Sequence, residues 1–208
     1  MHPIASKRHT IILLTILAVI SAATYSGNKP STNPNHVLLY ASVIVAELLL
    51  LRYVAIGLRG ITLVQLIGRA RWFDVLIAAA FWFAARQGLF WLRRGLGATD
   101  DRTTRILPSG AIEISLWILV SIAAGVVEEV VFRGYLQRQF SAWTRSAAAG
   151  VIIQAVIFGA SHGYQGIASM TAVAAYGVLF GLLAWWRRSL VPGILAHAWT
   201  DIFSGLSR

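Results

Sequence analysis

The chain of 208 residues contains no cysteine. This absence excludes disulfide bonds, thiolate catalysis and every metal site that is built on cysteine ligands. A zinc site in this protein would therefore need histidine and carboxylate ligands.

Charge is scarce as well. Charged residues make up 12% of the chain and hydrophobic residues 57%, whereas a soluble domain carries roughly 25% charge. Acidic residues are the rarest, with 8 Asp and Glu against 18 Lys and Arg and a formal net charge of +10. The basic residues lie between apolar runs, which is typical of topology signals and of contacts with anionic lipid headgroups. These features exclude a soluble monomer, indicate a lipid bilayer as partner, and give no basic groove for nucleic acid.

Apolar stretches of the length needed to cross a bilayer recur along the whole chain. A hydrocarbon core of about 30 Å takes roughly 20 helical residues. Seven stretches are candidates: Thr10 to Tyr25, His36 to Leu58, Trp72 to Leu92, Ala111 to Val131, Ala147 to Ser161, Ala168 to Trp186, and Leu190 to Phe203. We therefore predict an all-α polytopic transmembrane helix bundle of about seven spans, which forms one membrane domain over residues 1–208.

The first stretch has two interpretations. Lys7 and Arg8 precede a short apolar run that ends in small residues, which is also the pattern of a signal peptide. We favour a retained anchor. With the N-terminus inside, more Lys and Arg residues fall in cytoplasmic connections than in outer ones, which favours a multi-pass protein of the plasma membrane with a cytoplasmic N-terminus.

Ionisable side chains inside apolar helices are costly and mark function by default. Glu129 and Arg133 are four residues apart, so they share one helix face and can pair. Glu128 points about 100° away from Glu129 and is free to face a cavity as a general base. The alternative is an interfacial charge cluster that closes the fourth helix.

Two histidines lie in later apolar stretches. His162 follows Phe158 by one helical turn, and His197 precedes Asp201 by the same spacing. Each pair shares a helix face, and Asp201 could orient the His197 imidazole. Together with the glutamate pair, the histidines form an acid–base set of the kind that hydrolytic enzymes use.

Three motifs therefore occur in order, each on an apolar segment: E-E-x-x-x-R at Glu128–Arg133, F-x-x-x-H at Phe158–His162, and H-x-x-x-D at His197–Asp201. This ordered set resembles the CAAX-processing and bacteriocin-processing (CPBP) intramembrane proteases, which include the type II CAAX prenyl endopeptidases. The resemblance implies a catalytic core over residues 125–205. Residues 1–110 are expected to form N-terminal transmembrane helices without a recognisable motif.

The resemblance also implies roles for individual residues. Glu128 would activate the hydrolytic water with His162 and His197 beside it, and Asp201 would contribute a polar group to the oxyanion region. Family members carry Asn or Asp at this last position, and an ionised Asp cannot donate as an amide does, so orienting His197 is its better assignment. The supporting residues would be Glu129, Arg133 and Phe158.

Two mechanisms fit these residues. In the first, Glu128, His162 and His197 ligate zinc and leave an open fourth position. In the second, Glu128 takes a proton from water and the histidines stabilise the tetrahedral intermediate without a metal. Because no H-E-x-x-H pair places two imidazoles on one helix face, we favour a glutamic-type site without a cofactor.

The predicted function is an intramembrane endopeptidase that hydrolyses a peptide or membrane-protein substrate, with CAAX-type processing as the implied class. One alternative is a proton-coupled transporter in which Glu128 and the histidines relay protons. Another is a non-catalytic membrane immunity or assembly factor on the same scaffold. The transporter predicts two symmetric halves, which the sequence does not show, and the scaffold predicts that Glu128 is dispensable.

Overall fold

The computed structural model describes residues 2–27, 35–97 and 106–206, and every regular element in these ranges is helical. The α-helices, in chain order, are α1 (Lys7–Gly27), α2 (His36–Gly57), α3 (Leu63–Ile67), α4 (Asp74–Gly95), α5 (Ala111–Glu128), α6 (Gln137–Thr144), α7 (Ala147–Ser161), α8 (Ile167–Arg187) and α9 (Val191–Leu206). A π-helix, Glu129–Leu136, joins α5 to α6, and a 3-10 turn, Gly163–Gln165, follows α7. The prediction of an all-α fold is confirmed.

Four helices in the described ranges are long and apolar enough to cross a membrane. They are α2, α4, α8 and the continuous helix Ala111–Thr144, and α7 is a shorter apolar helix of 15 residues. All seven predicted stretches lie on helices, including α1 and α9. The membrane helix bundle is therefore confirmed. Four helices are both long enough and apolar enough to span a membrane, and the sequence predicts about seven spans.

The continuous helix Ala111–Thr144 forms the centre of the bundle. Its π-helical segment is buried along all 8 residues. Val130, Val131 and Leu136 of this segment pack in one core with Leu13 of α1 and Val54 of α2. A π-helical turn changes the direction of the side chains that follow it and often occurs at functional sites. Polar groups carried by this segment are consequently held away from both lipid and water.

The N-terminal segment is bound to the central helix. The Gln139 side chain accepts hydrogen bonds from the N–H groups of Ile4 and Ala5, at 2.9 and 3.2 Å, and its Nε2 donates to the Ala5 carbonyl at 3.0 Å. Thr10 of α1 also bonds Tyr135 of the π-helix, hydroxyl to hydroxyl, at 2.9 Å. These bonds make α1 part of the packed bundle.

The connection from α8 to α9 determines where α9 begins. Arg188 ends α8 in a left-handed backbone conformation with φ of 52°. The Leu190 N–H then donates to the Ile67 carbonyl at the end of α3, at 2.7 Å. Pro192 lies in the first turn of α9, where its missing N–H breaks no helical hydrogen bond. The start of α9 is thereby fixed beside α3, which itself packs on the π-helix.

Candidate active site

Glu129 lies at the centre of the candidate site and is fully buried. Its Oε1 is 3.0 Å from Nη1 of Arg133, one helical turn along the same segment. The same oxygen is 3.0 Å from Nδ1 of His197 on α9. One carboxylate therefore binds a guanidinium and an imidazole, and the pairing expected from the spacing of Glu129 and Arg133 is present.

Arg133 is buried among aromatic rings. Its guanidinium carbon lies 4.2 Å from the centre of the Phe158 ring and 5.1 Å from that of Phe180. The faces of aromatic rings attract cations, most strongly where water is excluded. The rings and the Glu129 carboxylate together stabilise a positive charge that would otherwise be costly at this depth.

His197 lies between the two glutamates. With its Nδ1 bonded to Glu129, its Nε2 is 3.7 Å from Oε2 of Glu128 and 3.7 Å from Oδ2 of Asp201. Both distances from Nε2 are longer than a direct hydrogen bond. A water molecule or a substrate group between Nε2 and the two carboxylates could hydrogen-bond to all three. Nδ1 of the ring is thus held by Glu129, and the orienting role that the sequence indicated for Asp201 stays a prediction. Asp201 lies on the opposite, Nε2 side of the ring.

Glu128 ends α5 and has a different environment from its neighbour Glu129. Its side chain is 17% exposed, against 0% for Glu129. Its Oε2 is enclosed and makes no hydrogen bond within the described part of the chain. A carboxylate oxygen without a protein partner is available to a water molecule or a substrate, which is the requirement for a general base.

His162 ends α7, next to Phe158. The His162 Nδ1 lies 2.9 Å from the Phe158 carbonyl oxygen, which can only accept, so Nδ1 carries a proton and Nε2 is the nitrogen left for other groups. The Phe158 ring centre is 4.8 Å from the His162 ring and 6.1 Å from the His197 ring. Phe158 thus touches both histidines and the Arg133 guanidinium, which explains the aromatic residue of the F-x-x-x-H motif.

The 3-10 turn after α7 adds a tyrosine to this region. The Tyr164 ring lies 6.1 Å from the His162 ring, and its hydroxyl accepts a hydrogen bond from Gln165 Nε2 at 3.0 Å. Burial, with smaller contributions from the charges of Glu128 and Asp201, raises the pKa of Tyr164 to about 12. The hydroxyl therefore keeps its proton throughout the neutral range.

Small residues bring α9 close to the central helix. A Cβ atom on Gly193 would lie 3.0 Å from Oε2 of Glu129, and one on Gly125 would lie 2.9 Å from the Ala198 backbone nitrogen. Both positions are too tight for a larger residue without movement of a neighbour. This close approach allows the hydrogen bond between His197 and Glu129.

Two residues near the site were missed by the sequence interpretation. Glu47 is the only acidic residue of α2, and its Oε2 is enclosed without a hydrogen bond in the described part of the chain. A lone carboxylate in an apolar stretch was the signal that could have identified it. The Phe180 ring lies 5.5 Å from the His197 ring, but nothing distinguishes it in the sequence from other core aromatic residues.

The zinc alternative would require Glu128, His162 and His197 to converge on one point. In the described ranges, no three His, Asp or Glu side chains converge in a way that could hold a metal ion. The proposed ligands Glu128, His162 and His197 surround the site without forming such a group. A reaction without a cofactor stays a prediction.

The site lies in a segment of the chain that matches a known protein family. Residues 110–203 match the family model described as type II CAAX prenyl endopeptidase Rce1-like. The match includes every site residue described above except Glu47. It confirms the resemblance indicated by the three motifs. Neither the curated proteins nor the solved structures contain a match to the chain.

Proposed function

We propose that this protein is an intramembrane endopeptidase that hydrolyses peptide bonds in CAAX-type or other membrane-borne peptides, by a glutamate- and histidine-based mechanism. The observation that carries this proposal is the position of His197, with Nδ1 bonded to the buried Glu129 and Nε2 3.7 Å from the available carboxylate of Glu128. The family match of residues 110–203 supports the same reaction class.

In the proposed reaction, Glu128 accepts a proton from a water molecule that attacks the scissile carbonyl. The enclosed Oε2 of Glu128 has no competing protein donor in the described ranges, which supports this assignment. Removing the proton as the water attacks turns a weak nucleophile into an effective one.

The negative oxygen of the tetrahedral intermediate needs hydrogen-bond donors that are already in place. In the imidazolium form of His197, Nδ1 donates to Glu129 while Nε2 donates towards the site. Glu129 thus orients the ring and stabilises its positive charge, as the buried carboxylate does in a catalytic triad. His162, whose Nδ1–H is held by the Phe158 carbonyl, would serve as the second donor through Nε2 in its imidazolium form.

The substrate is proposed to reach this site from the membrane. The site is enclosed by apolar helices, and the family name refers to prenylated C-terminal peptides, whose lipid chain partitions into a bilayer. The distribution of Lys and Arg supports a cytoplasmic N-terminus, and the plasma membrane is the proposed location.

The test is cleavage of a farnesylated peptide with a C-terminal CAAX sequence by protein reconstituted in liposomes, with products identified by mass spectrometry. Glu128→Gln is nearly isosteric but cannot take the proton, so we expect at least about a 100-fold loss of kcat with the fold preserved. Glu113→Gln is the matched control, because Glu113 lies on the same helix and bonds His36 and Ser109 instead of the site. It should retain the wild-type rate.

Full activity of Glu128→Gln would disprove the general-base assignment. A wild-type protein that cleaves neither this peptide nor other membrane-borne peptides would favour the non-catalytic scaffold. Proton-driven uptake of a solute into the same liposomes, abolished by Glu128→Gln, would instead favour the transporter.

A further inference from the structure

Glu47 is contributed by a helix that lies outside the segment matched to the family, yet it lies among the site carboxylates. Helix α2 packs along α5 and also touches the π-helix. The Tyr40 ring in the first half of α2 lies 5.6 Å from the Trp117 ring in the first half of α5, and Val54 near the end of α2 packs in one core with Val130, so the two helices run in the same direction. Glu47, two turns after Tyr40, is therefore level with the last turns of α5, where Glu128 lies. Three helices thus carry acidic groups in this part of the bundle.

The Glu47 carboxyl group differs from the other acids of this cluster in its partners. Glu129 pairs with Arg133, while Glu128 and Asp201 each have an oxygen 3.7 Å from Nε2 of His197. Glu47 makes no ion pair with any described residue, and its Oε2 is enclosed without a hydrogen bond in the same ranges. Arg52, the other charged residue of α2, is exposed.

Ionised carboxylates that lie side by side in an apolar region repel one another, so such a cluster is stable only when one of them keeps its proton. The groups close to a basic nitrogen are the ones stabilised as anions. Among Glu47, Glu128 and Asp201, only Glu47 has no basic nitrogen within 4 Å in the described ranges, which makes it the acid best suited to keep the proton. Neighbouring carboxyl groups in opposite protonation states are the arrangement that supplies an acid and a base to one reaction.

We propose that Glu47 is the general acid of the peptidase reaction, donating its proton to the leaving nitrogen while Glu128 acts as the base. This inference rests on the proposed endopeptidase function. Glu128 takes one proton from water, the hydroxide oxygen bonds to the scissile carbonyl carbon, and the Glu47 proton passes to the amide nitrogen as the C–N bond breaks. The proton on Glu128 then returns to Glu47, so that both groups regain their starting states.

A leaving-group comparison tests this role. The two probes are the farnesylated CAAX peptide and its analogue with an ester in place of the amide that the wild-type protein cleaves. An alcohol leaves far more readily than an amine and depends less on a proton donor. We expect Glu47→Gln to lower kcat about 100-fold or more on the amide and less than about 10-fold on the ester. Glu128→Gln should be impaired on both probes.

The matched control is Arg52→Gln, which removes the other charge of the same helix and should leave both rates unchanged. Glu47→Asp retains a carboxylic acid on a shorter side chain and should recover part of the activity on the amide. If Glu47→Gln does not fold, the ratio of the amide rate to the ester rate in Glu47→Asp tests the general-acid role. The shorter side chain holds the acid further from the leaving group, so only the amide rate should fall.

Wild-type activity of Glu47→Gln on the amide would overturn the proposal. Equal losses on amide and ester in a folded variant would also overturn it, because they indicate a structural or binding role. Both outcomes differ from failure of the endopeptidase function, in which the wild-type protein itself cleaves neither probe.

Discussion

Replacing Arg133 by leucine tests the buried centre of the site. The guanidinium is 3.0 Å from Oε1 of Glu129, and both side chains have an exposed fraction of 0%. Arg133→Leu removes the cation but leaves the carboxylate in place. Glu129 then keeps only its bond with His197 Nδ1, which compensates the carboxylate charge only while the His197 ring is doubly protonated.

The expected loss of stability follows from this burial. Breaking a buried ion pair by removing one partner costs about 3–5 kcal/mol, because the remaining charge is left without compensation. For a chain of this size, 1 kcal/mol changes the melting temperature by about 2–4 °C, so the variant should melt roughly 6–20 °C below the wild type. The loss of the contacts between the guanidinium and the Phe158 and Phe180 rings acts in the same direction.

The double variant Arg133→Leu/Glu129→Leu separates stability from activity. Replacing both partners of a buried pair by apolar residues removes the uncompensated charge and is often neutral for stability. We expect the double variant to recover most of the melting temperature but none of the activity, because His197 Nδ1 loses its acceptor. The assays are thermal unfolding in detergent by intrinsic fluorescence and cleavage of the farnesylated peptide.

Arg52→Leu serves as the control for a lost arginine, since Arg52 is exposed on α2. A melting temperature of Arg133→Leu within about 2 °C of the wild type would refute the reasoning, since it corresponds to no more than about 1 kcal/mol. A double variant that melts as low as the single variant would likewise show that the cost does not come from the unpaired carboxylate.

Three further predictions concern the same site. His162→Ala and His197→Ala should each lower kcat roughly 100-fold or more, as the loss of an oxyanion donor does. When either change is combined with Glu128→Ala, the losses should be far from multiplicative, because the residues act together. Multiplicative losses would indicate separate sites. Gly193→Ala should lower the cleavage rate, because its Cβ would lie 3.0 Å from Glu129 Oε2 and displace that carboxylate; an unchanged rate would show that α9 can move without consequence. Elemental analysis of purified protein should find less than about one equivalent of zinc per chain, with slight sensitivity of cleavage to a chelator; a stoichiometric metal whose removal abolishes activity would establish the zinc mechanism instead.

Contacts within one helix could be predicted from spacing alone. Residues four apart on a helix share a face whatever surrounds them. The pairing of Glu129 with Arg133 and the contact of Phe158 with His162 followed from this rule, and the structure contains both. The separation of Glu128 from its neighbour followed from the same geometry, because adjacent residues point about 100° apart.

Contacts between helices could not be predicted in this way. The orienting partner of His197 was assigned to Asp201 on its own helix, but Glu129 on another helix occupies Nδ1. The depth of His197 also depends on tertiary contacts, namely the Leu190 hydrogen bond to the end of α3 and the tight packing at Gly193. No periodicity in the sequence encodes these distances.

The sequence by itself determined that this chain is an all-α membrane protein and which local motifs carry its ionisable groups. Both properties depend on composition and on the fixed repeat of the helix, which act over a few residues. The tertiary structure alone decided that Glu129 holds His197 and that α2, which carries Glu47, packs against α5 and the π-helix. Close helix packing brings together residues that are far apart in the chain. It gives the buried Glu129 a second partner, His197, in addition to Arg133 on its own helical segment.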